Sequence, residues 1–501
     1  IFAYWLMFIL GFTVVAPIIG SVDEPSIAAD AGILPEQEIV AIDGADTNSW
    51  QNVNLGLLNR LGDTGDITLS LKEKTLNKIN SILFLLCITL GFAQQTPAPA
   101  QAIAYTITGA TAHVGDGTVI DNATIVFENG KISTIQSGGS ATKGTVINAT
   151  GKHVYPGFIA TNTTLGLVEV GAVRQSNDDD EIGEMIPHVR GIIAYNAESK
   201  VVESMRPNGV LMAQIRPVGG TISGASSVVQ LDAWNWEDAA YKTDEGIFMD
   251  WPRTMRRGRW WLGEEPGYKP NKSYKEDINK IKMFFNNSRA YSKAKGTKNL
   301  PFDAMKNVFN GTQKVYISAN DQKQILDVIA FAKEMQLTNI VLVGGYQSYK
   351  VAEELAKANI PVILQRVQGL PSMEDHDYDL PYKLPKLLTD AGVTVALGYD
   401  AEYWQVRNLP FYAGQVTQFG ISDEDALKMI TLNPAKIMGI ASTTGTLAPG
   451  KDATLFISDG NALDMRGNNL SRAFIQGRDI SLESHQTKLA KRYAEKYGQN
   501  E

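Results

Sequence analysis

From Val154 to Met438, short β-like runs alternate with stretches of helical period, and this alternation most limits the fold the chain can adopt. The clearest pairs are Lys314 to Ser318 followed by Asp321 to Met335, Ile340 to Val343 followed by Ser348 to Ala358, and Val393 to Leu397 followed by a helix after Ser422. An apolar strand buried on both faces needs a helix outside it, and that helix returns the chain to begin the next strand in the same direction. Repeated over this length, the unit closes on itself. The prediction is α/β, a (β/α)8 TIM-like barrel over residues 153–440.

Strand signals bracket the barrel. Before it stand Tyr105 to Gly109, Ala123 to Phe127 and Lys131 to Ile135. The last two are joined by Glu128-Asn129-Gly130, and Asn-Gly suits the left-handed conformations of a tight hairpin. After the barrel come Gly445 to Ser458 and Leu470 to Gln476. Each group is too small to bury a core alone. Residues 105–152 and 441–480 are therefore expected to share one small composite β-sandwich, with 94–104 as a linker and 481–501 as a C-terminal helix.

The first part of the chain reads differently. Residues 1–15 (IFAYWLMFILGFTVV) are apolar almost throughout but shorter than the roughly 20 residues of a bilayer span, which suits the end of a truncated transmembrane helix. Over 16–72, short β-like runs (Pro17 to Val22, Ile39 to Gly44, Ile67 to Leu71) surround helically spaced apolar residues from Trp50 to Leu61. Phe2-Ala3-Tyr4-Trp5, Ser26-Ile27-Ala28-Ala29, Val40-Ala41-Ile42-Asp43-Gly44 and Trp50 carry a resemblance to the PDZ domain that follows a membrane helix in bacterial site-2 intramembrane metalloproteases. The resemblance implies a small PDZ-like α+β domain in a membrane-associated fragment. That family's His-Glu-x-x-His is absent, so at most peptide binding by strand addition carries over.

Lys72, Lys74 and Lys78 then precede the apolar run Ile79 to Phe92, which ends at Ala93-Gln94-Gln95. A basic start, an apolar middle and a small residue at the cut make 73–93 look like a secretory signal peptide, directing the downstream chain to the periplasm or beyond. Its internal position suggests two unrelated pieces joined, by fusion or misassembly. Cys87 is the one cysteine, so neither a disulfide nor a thiolate metal cluster forms within one chain. Leu86 before it argues against lipidation.

Four stretches in the larger part resemble the amidohydrolase superfamily, specifically its secreted imidazolonepropionase-like and prolidase-like branch, over about 105–498. They are Val154-Tyr-Pro-Gly-Phe-Ile159; Leu380-Pro-Tyr382 with Val406-Arg-Asn-Leu-Pro410; Ala426-Leu-Lys-Met-Ile-Thr-Leu-Asn-Pro-Ala435; and Gly445-Thr-Leu-Ala-Pro-Gly-Lys-Asp-Ala453. The resemblance implies metal-dependent hydrolysis of a carbon–nitrogen bond in a cyclic amide or dipeptide. Such chemistry uses divalent metal, commonly Zn²⁺, to lower the pKa of bound water to about 7. The family supplies a His-x-His pair on the first strand, histidines on the fifth and sixth, often a carboxylated lysine on the fourth, and an aspartate on the eighth. Here the first-strand pair falls on Asn162 and Thr164, the fifth on Asn320 and the sixth on Gly344. Only the aspartate remains, as Asp400 in Leu397-Gly-Tyr-Asp400, the catalytic candidate. No fourth-strand lysine can be assigned.

Amide and hydroxyl groups hold Zn²⁺ far more weakly than imidazole does, so no cofactor is expected despite the family's zinc. His113 and His153 precede the barrel, His485 follows it, and His188 and His376 fall in loops. Two functions from different classes remain open: a metal-dependent amidohydrolase, or a non-catalytic pseudo-amidohydrolase serving as a binding platform or as partner of an active paralogue. Asp178-Asp-Asp-Glu181 offers hard oxygen ligands for Ca²⁺ or Mg²⁺, although four adjacent acids are usually a solvated loop. Trp251 to Lys298 holds five Arg and eight Lys against four acids, interleaved with Trp260, Trp261 and Tyr268. Basic and aromatic residues together suit an anionic polymer, but a barrel insertion whose helix from Tyr274 to Tyr291 exposes its lysines accounts for them as well. The resemblance implies a small amide or dipeptide and another copy or an active paralogue as partners; the net charge of −8 argues against nucleic acid, and a membrane is expected only through residues 1–15.

Overall fold

The computed structural model describes residues 16–22, 25–60, 65–72, 96–139, 142–293, 297–371, 375–399 and 403–499. The chain divides into two compact units, 1–93 and 94–501. The expectations for 1–15, for 73–93 with Cys87, and for Asp400 fall outside the described residues.

In the smaller unit, β1 (Glu38–Ile42), β2 (Ala45–Asp46) and β3 (Leu69–Lys72) form an antiparallel sheet in the order β2-β1-β3. Asp43 and Gly44 turn β1 into β2 with φ of 49° and 80°, the Asp-Gly route to a two-residue hairpin. The helix Trp50–Leu58 starts where the Ser49 hydroxyl accepts from Asn52 N at 3.3 Å. Its Val53 joins Ile19, Ile39 and Ile42 in a small core. Pro17 to Val22 contributes one bridge, Ile18 to Glu38, rather than a strand. Pro17 has no N–H for a ladder, and only its carbonyl takes part, accepting from Ile39 N.

The larger unit begins with β4 (Tyr105–His113), β5 (Val119–Glu128), β6 (Lys131–Ser137), β7 (Thr145–Asn148) and β8 (His153–Pro156). Next come β9 (Phe158–Thr163), β10 (Val210–Ile215), β11 (Ile222–Gln230), β12 (Ala240–Asp250) and the hairpin β13 (Met255–Arg257) and β14 (Tyr268–Pro270). Then follow β15 (Lys314–Ala319), β16 (Ile340–Gly344), β17 (Val362–Leu364) and β18 (Val395–Leu397). The last are β19 (Leu455–Ser458), β20 (Leu470–Ile475) and β21 (Arg478–Ile480).

Strands β9 to β12 and β15 to β18 form the barrel in chain order. It closes where the Thr161 hydroxyl donates to the Leu397 carbonyl at 3.2 Å and Tyr399 N donates to the Thr161 carbonyl at 3.4 Å. The strict βα repeat fails at one place: β11 runs antiparallel to both β10 and β12. Antiparallel neighbours need no crossover helix, and the connections on either side of β11 are correspondingly short. Between β18 and Ser422 the chain also forms a helix, Leu409–Val416, which the spacing did not predict. Phe248, Tyr316, Val341, Val343, Ile363 and Ala396 fill the interior with Ile437. The end where the strands begin is plugged by Ile159, Met212 and Val228 against Ala435, Met438 and Ile440.

The composite β module is one curled sheet in the order β21-β20-β19-β8-β4-β5-β6, with β7 also on β4. Its free edge bonds back on itself, Ile132 N to the Lys451 carbonyl at 2.9 Å and Gly450 N to the Ile132 carbonyl at 2.8 Å. Strands from both sides of the barrel thereby wrap one core, including Ile107, Ile125, Phe127, Leu455 and Phe474. The Asn129-Gly130 turn has φ of 51° and 77°, and a Cβ on Gly130 would lie 3.0 Å from the Gln476 carbonyl oxygen. Glycine is required there.

Two histidines join this module to the barrel. His113 Nδ1 lies 2.5 Å from Glu424 Oε1, and its Nε2 lies 3.0 Å from His153 Nδ1. The His113 ring stacks on Tyr155 with centroids 4.3 Å apart. Burial, and then the charge of His113, hold the His153 pKa below its ordinary 6.5. Above pH 6.5 the contribution of this contact to stability is complete; as pH falls through the depressed value the folded state resists a proton that the unfolded chain takes up, and the contribution is lost. Melting temperature followed against pH is expected to fall on acidification below 6.5 in the wild type and to fall less in His153→Gln. Parallel curves would remove His153 as the cause.

Candidate functional site

Site construction starts from β9, whose six residues are all buried. Its Asn162 is 1% exposed and adopts φ of 56°, a left-handed conformation that asparagine tolerates better than most residues. Gln214 on β10 holds this turn, accepting from Asn162 N at 3.0 Å while its own carbonyl accepts from the Thr163 hydroxyl at 2.9 Å. Just beyond β10, Arg216 donates from Nε to Asn162 Oδ1 at 2.5 Å, with its guanidinium 5.0 Å from the centroid of the Phe248 ring. Thr164 is buried one residue beyond β9.

On the far wall, Asn320 lies one residue past β15, and Gly344 ends β16 with φ of 88°. A Cβ built on Gly344 would sit 2.5 Å from Asn320 Oδ1. The sixth-strand position therefore carries no side chain, because the fifth-strand amide fills the space. Asp400 lies outside the described residues; Tyr399 before it is buried and bonded to Gln405.

These residues do not fit the family's metal. Asn162 has one atom able to coordinate a cation, and Arg216, itself a cation, occupies it. Gly344 has no donor, and neutral amides and hydroxyls are poor zinc ligands. Among the described residues no group of three or more His, Cys, Asp and Glu is placed to share a metal ion. Strand four is β12, and its Lys242 lies away from Asn162, donating to the Met438 carbonyl at 2.7 Å near the plugged end.

The barrel also holds a buried carboxylate that sequence reasoning missed. Glu245, 3% exposed, accepts at Oε1 from Gln214 Nε2 at 2.5 Å and the Ser226 hydroxyl at 2.7 Å, and at Oε2 from the Tyr316 hydroxyl at 2.8 Å. It sits beside a register shift between β11 and β12, where Asp244 takes φ of 50°. Gly246 makes room for the Tyr316 ring, which would lie 2.2 Å from a Cβ there. Burial raises the Glu245 pKa, against which the bonds from Ser226, Gln214 and Tyr316 act. Burial and the neighbouring Glu245 charge push the Tyr316 phenol well above its ordinary value. Polar Gln214 and Glu245 at strand positions that the fold buries were the available signal.

The remaining candidates disperse. At the seam His113 bonds Glu424 and His153 bonds His113, while His376 stacks on Tyr346 with centroids 5.5 Å apart. His485 N donates to Glu203 at 2.7 Å. The Asp178 to Glu181 loop is held through its backbone, Val218 N donating to the Asp179 carbonyl at 2.6 Å. Burial, reinforced by Asp180 and opposed by Arg174 and Arg216, raises the Asp179 pKa.

Residues 382–483 match the model of the Amidohydrolase family. Over 111 residues the chain is 34% identical to "Amidohydrolase tasK" of Hapsidospora irregularis, covering 20% of this chain and 11% of that protein. An amidohydrolase from Thermotoga maritima MSB8 has a similar fold, with a TM-score of 0.66 at 23% identity over 75% of this chain and 99% of that one. The N-terminal part is similar to a "Putative zinc metalloprotease" of Vibrio cholerae, 48% identical over 84 residues, 16% of this chain and 19% of that protein. The chain thus spans a fifth or less of the length of these curated relatives. Among the described residues, no helix is long and apolar enough to cross a membrane.

Proposed function

We propose, from the likeness of the larger unit to the amidohydrolase superfamily, that residues 94–501 form a non-catalytic member that keeps the barrel as a binding platform. The family's reaction is hydrolysis of a carbon–nitrogen bond with the aid of a metal. The observation that carries the proposal is the engagement of Asn162 Oδ1 by Arg216 at 2.5 Å, where a metal-binding histidine would stand. Without a metal, the water available to a catalytic aspartate has a pKa near 15.7, and a carboxylate of pKa about 4 is a poor base for it. A packed barrel core does not depend on the metal, so the fold survives the loss. The natural ligands are a small amide or dipeptide at the barrel mouth, or an active paralogue alongside. The segment 73–93 favours a periplasmic or secreted location, and the smaller unit favours peptide binding at a sheet edge.

The test is a parallel assay of the full chain and its Asp400→Asn variant, with excess Zn²⁺ and with chelator, on N-acyl and dipeptide substrates. The expected result is no metal-dependent turnover in either protein, zinc well below one atom per chain, and unchanged ligand affinity in the variant. Zinc-dependent turnover that disappears on chelation or in Asp400→Asn would restore the hydrolase reading.

A further inference from the structure

The connection from β12 to β15 carries a feature the barrel does not use. After β12 the chain leaves as the β13–β14 hairpin, whose tip is Arg259-Trp260-Trp261-Leu262-Gly263. Trp260, Trp261 and Leu262 are 68%, 63% and 62% exposed, and Tyr268 on β14 is 68% exposed. The two indoles meet edge to face, 6.2 Å between centroids. The tip has a defined shape. Glu264 accepts from the backbone N and the guanidinium of Arg259 at 3.0 and 3.1 Å, and Gly263 takes φ of 76°. At the base, Asn271 N donates to the Thr254 carbonyl at 2.8 Å, and the Thr254 hydroxyl donates to Asp321 at 2.5 Å. Glu264 and Glu265 are taken by Arg256, Arg259 and Lys269. Arg253, Arg257 and Lys272 are exposed and form no ion pair among the described residues.

We propose that this hairpin anchors the protein to an anionic membrane surface. Trp260, Trp261 and Leu262 enter the boundary between headgroups and acyl chains, and Arg253, Arg257 and Lys272 meet the lipid phosphates. Indole pairs an apolar body with a polar N–H and favours that boundary. Arg257 on the tip side of the hairpin and Arg253 and Lys272 at its base complement an anionic headgroup layer. The apolar area on offer, roughly 500 Å² at most, is below the roughly 800 Å² per partner that a stable dimer buries. Edge-to-face rings followed by an aliphatic leucine give no parallel platform for stacked bases. Because β12 runs parallel to β15 and β16, the hairpin leaves from the end of the barrel that carries Asn162 and Gly344, so docking turns that end toward the bilayer.

The experiment measures partition of the full chain into mixed phosphatidylcholine and phosphatidylglycerol vesicles and into phosphatidylcholine alone. Residues 1–15 are common to all proteins compared, so differences between variants report the hairpin. Trp260→Ser with Trp261→Ser is expected to weaken partition about tenfold or more while leaving the melting temperature unchanged. Trp260→Phe with Trp261→Phe should keep partition but lose the part of the quenching of indole fluorescence by brominated lipid that these two indoles contribute, Trp5 being common to all the proteins compared. Arg253→Gln with Arg257→Gln and Lys272→Gln should abolish the preference for anionic vesicles. Unchanged partition and quenching in the serine variant would overturn the proposal. So would self-association or binding of a single-stranded oligonucleotide that the serine substitutions remove while vesicle partition persists.

Discussion

Glu245→Ala is expected to lower the folding stability of the larger unit by about 3–5 kcal/mol, among the largest effects of any single substitution in the barrel. The carboxylate accepts from Gln214, Ser226 and Tyr316, residues that are each fully buried. Removing it takes the acceptor from the Gln214 amide and the Tyr316 hydroxyl where water does not reach, each costing about 1–3 kcal/mol in isolation but less in sum because the network relaxes, while the Ser226 hydroxyl keeps the Gly246 carbonyl at 3.3 Å. Tyr316→Phe removes one donor and leaves the carboxylate two, so its cost should be smaller, about 1–2 kcal/mol. The pH dependence has a definite sign. With its folded pKa raised by burial above 4.5, Glu245 contributes most when protonated in both states, and its contribution falls as pH rises from 4.5 through the folded value. Denaturant unfolding of wild type, Glu245→Ala and Tyr316→Phe measures all of this. Equal stability of the alanine variant and wild type would mean that the network is not formed.

Asp232→Ala is expected to cost a similar amount, about 3–5 kcal/mol, for an electrostatic reason. Asp232 follows β11 and is 3% exposed. It accepts from Arg206 Nη1 at 2.6 Å, Arg478 Nη1 at 2.9 Å and Ala98 N at 2.8 Å. One carboxylate thus ties the turn before the barrel's second strand, the last strand of the composite sheet and the segment leading into it. Burial pulls the Arg206 pKa down, and Asp232 is the first of the groups that oppose it. Without Asp232, a guanidinium 4% exposed loses its nearest counter-charge, whereas Arg478 can still reach solvent. Arg206→Met combined with Asp232→Leu should recover part of the loss, since it removes both charges from the buried site. If the double variant were less stable than Asp232→Ala, the penalty would come from lost packing rather than from the loss of the Asp232 charge beside Arg206.

The candidate site divides between positions that can be read along the chain and contacts that cannot. Motif and strand order single out Asn162, Thr164, Asn320 and Gly344; in the structure Asn162 lies in β9, Thr164 one residue beyond it, Asn320 one residue past β15 and Gly344 at the end of β16. The groups that fill the space between them are invisible in the sequence. Arg216 reaches Asn162 across a strand pairing, and Glu245 meets donors from three other strands. Residue spacing carries no information about which side chains meet across a barrel. The acidic turn around His376 suits a solvated loop, yet its ring lies on Tyr346, because the loops after neighbouring parallel strands converge.

Local chemistry alone determined the Asn129-Gly130 hairpin, the capped helix at Gln322–Glu334 and the apolar strands β15 and β16, since each depends on residues within one turn or one strand. The pattern of elements also implied a barrel flanked by strands that must share a core. Only the tertiary structure decided that β11 runs against its neighbours, that the composite sheet curls onto its own edge, and that Glu245 faces into the barrel beside the bulge at Asp244. Strand direction and register are set by long-range pairing energy, in which a one-residue shift exchanges the two faces of a strand. A single chain position does not encode its partner, and so the buried carboxylate that stands in this barrel appeared only once the strands were closed around it.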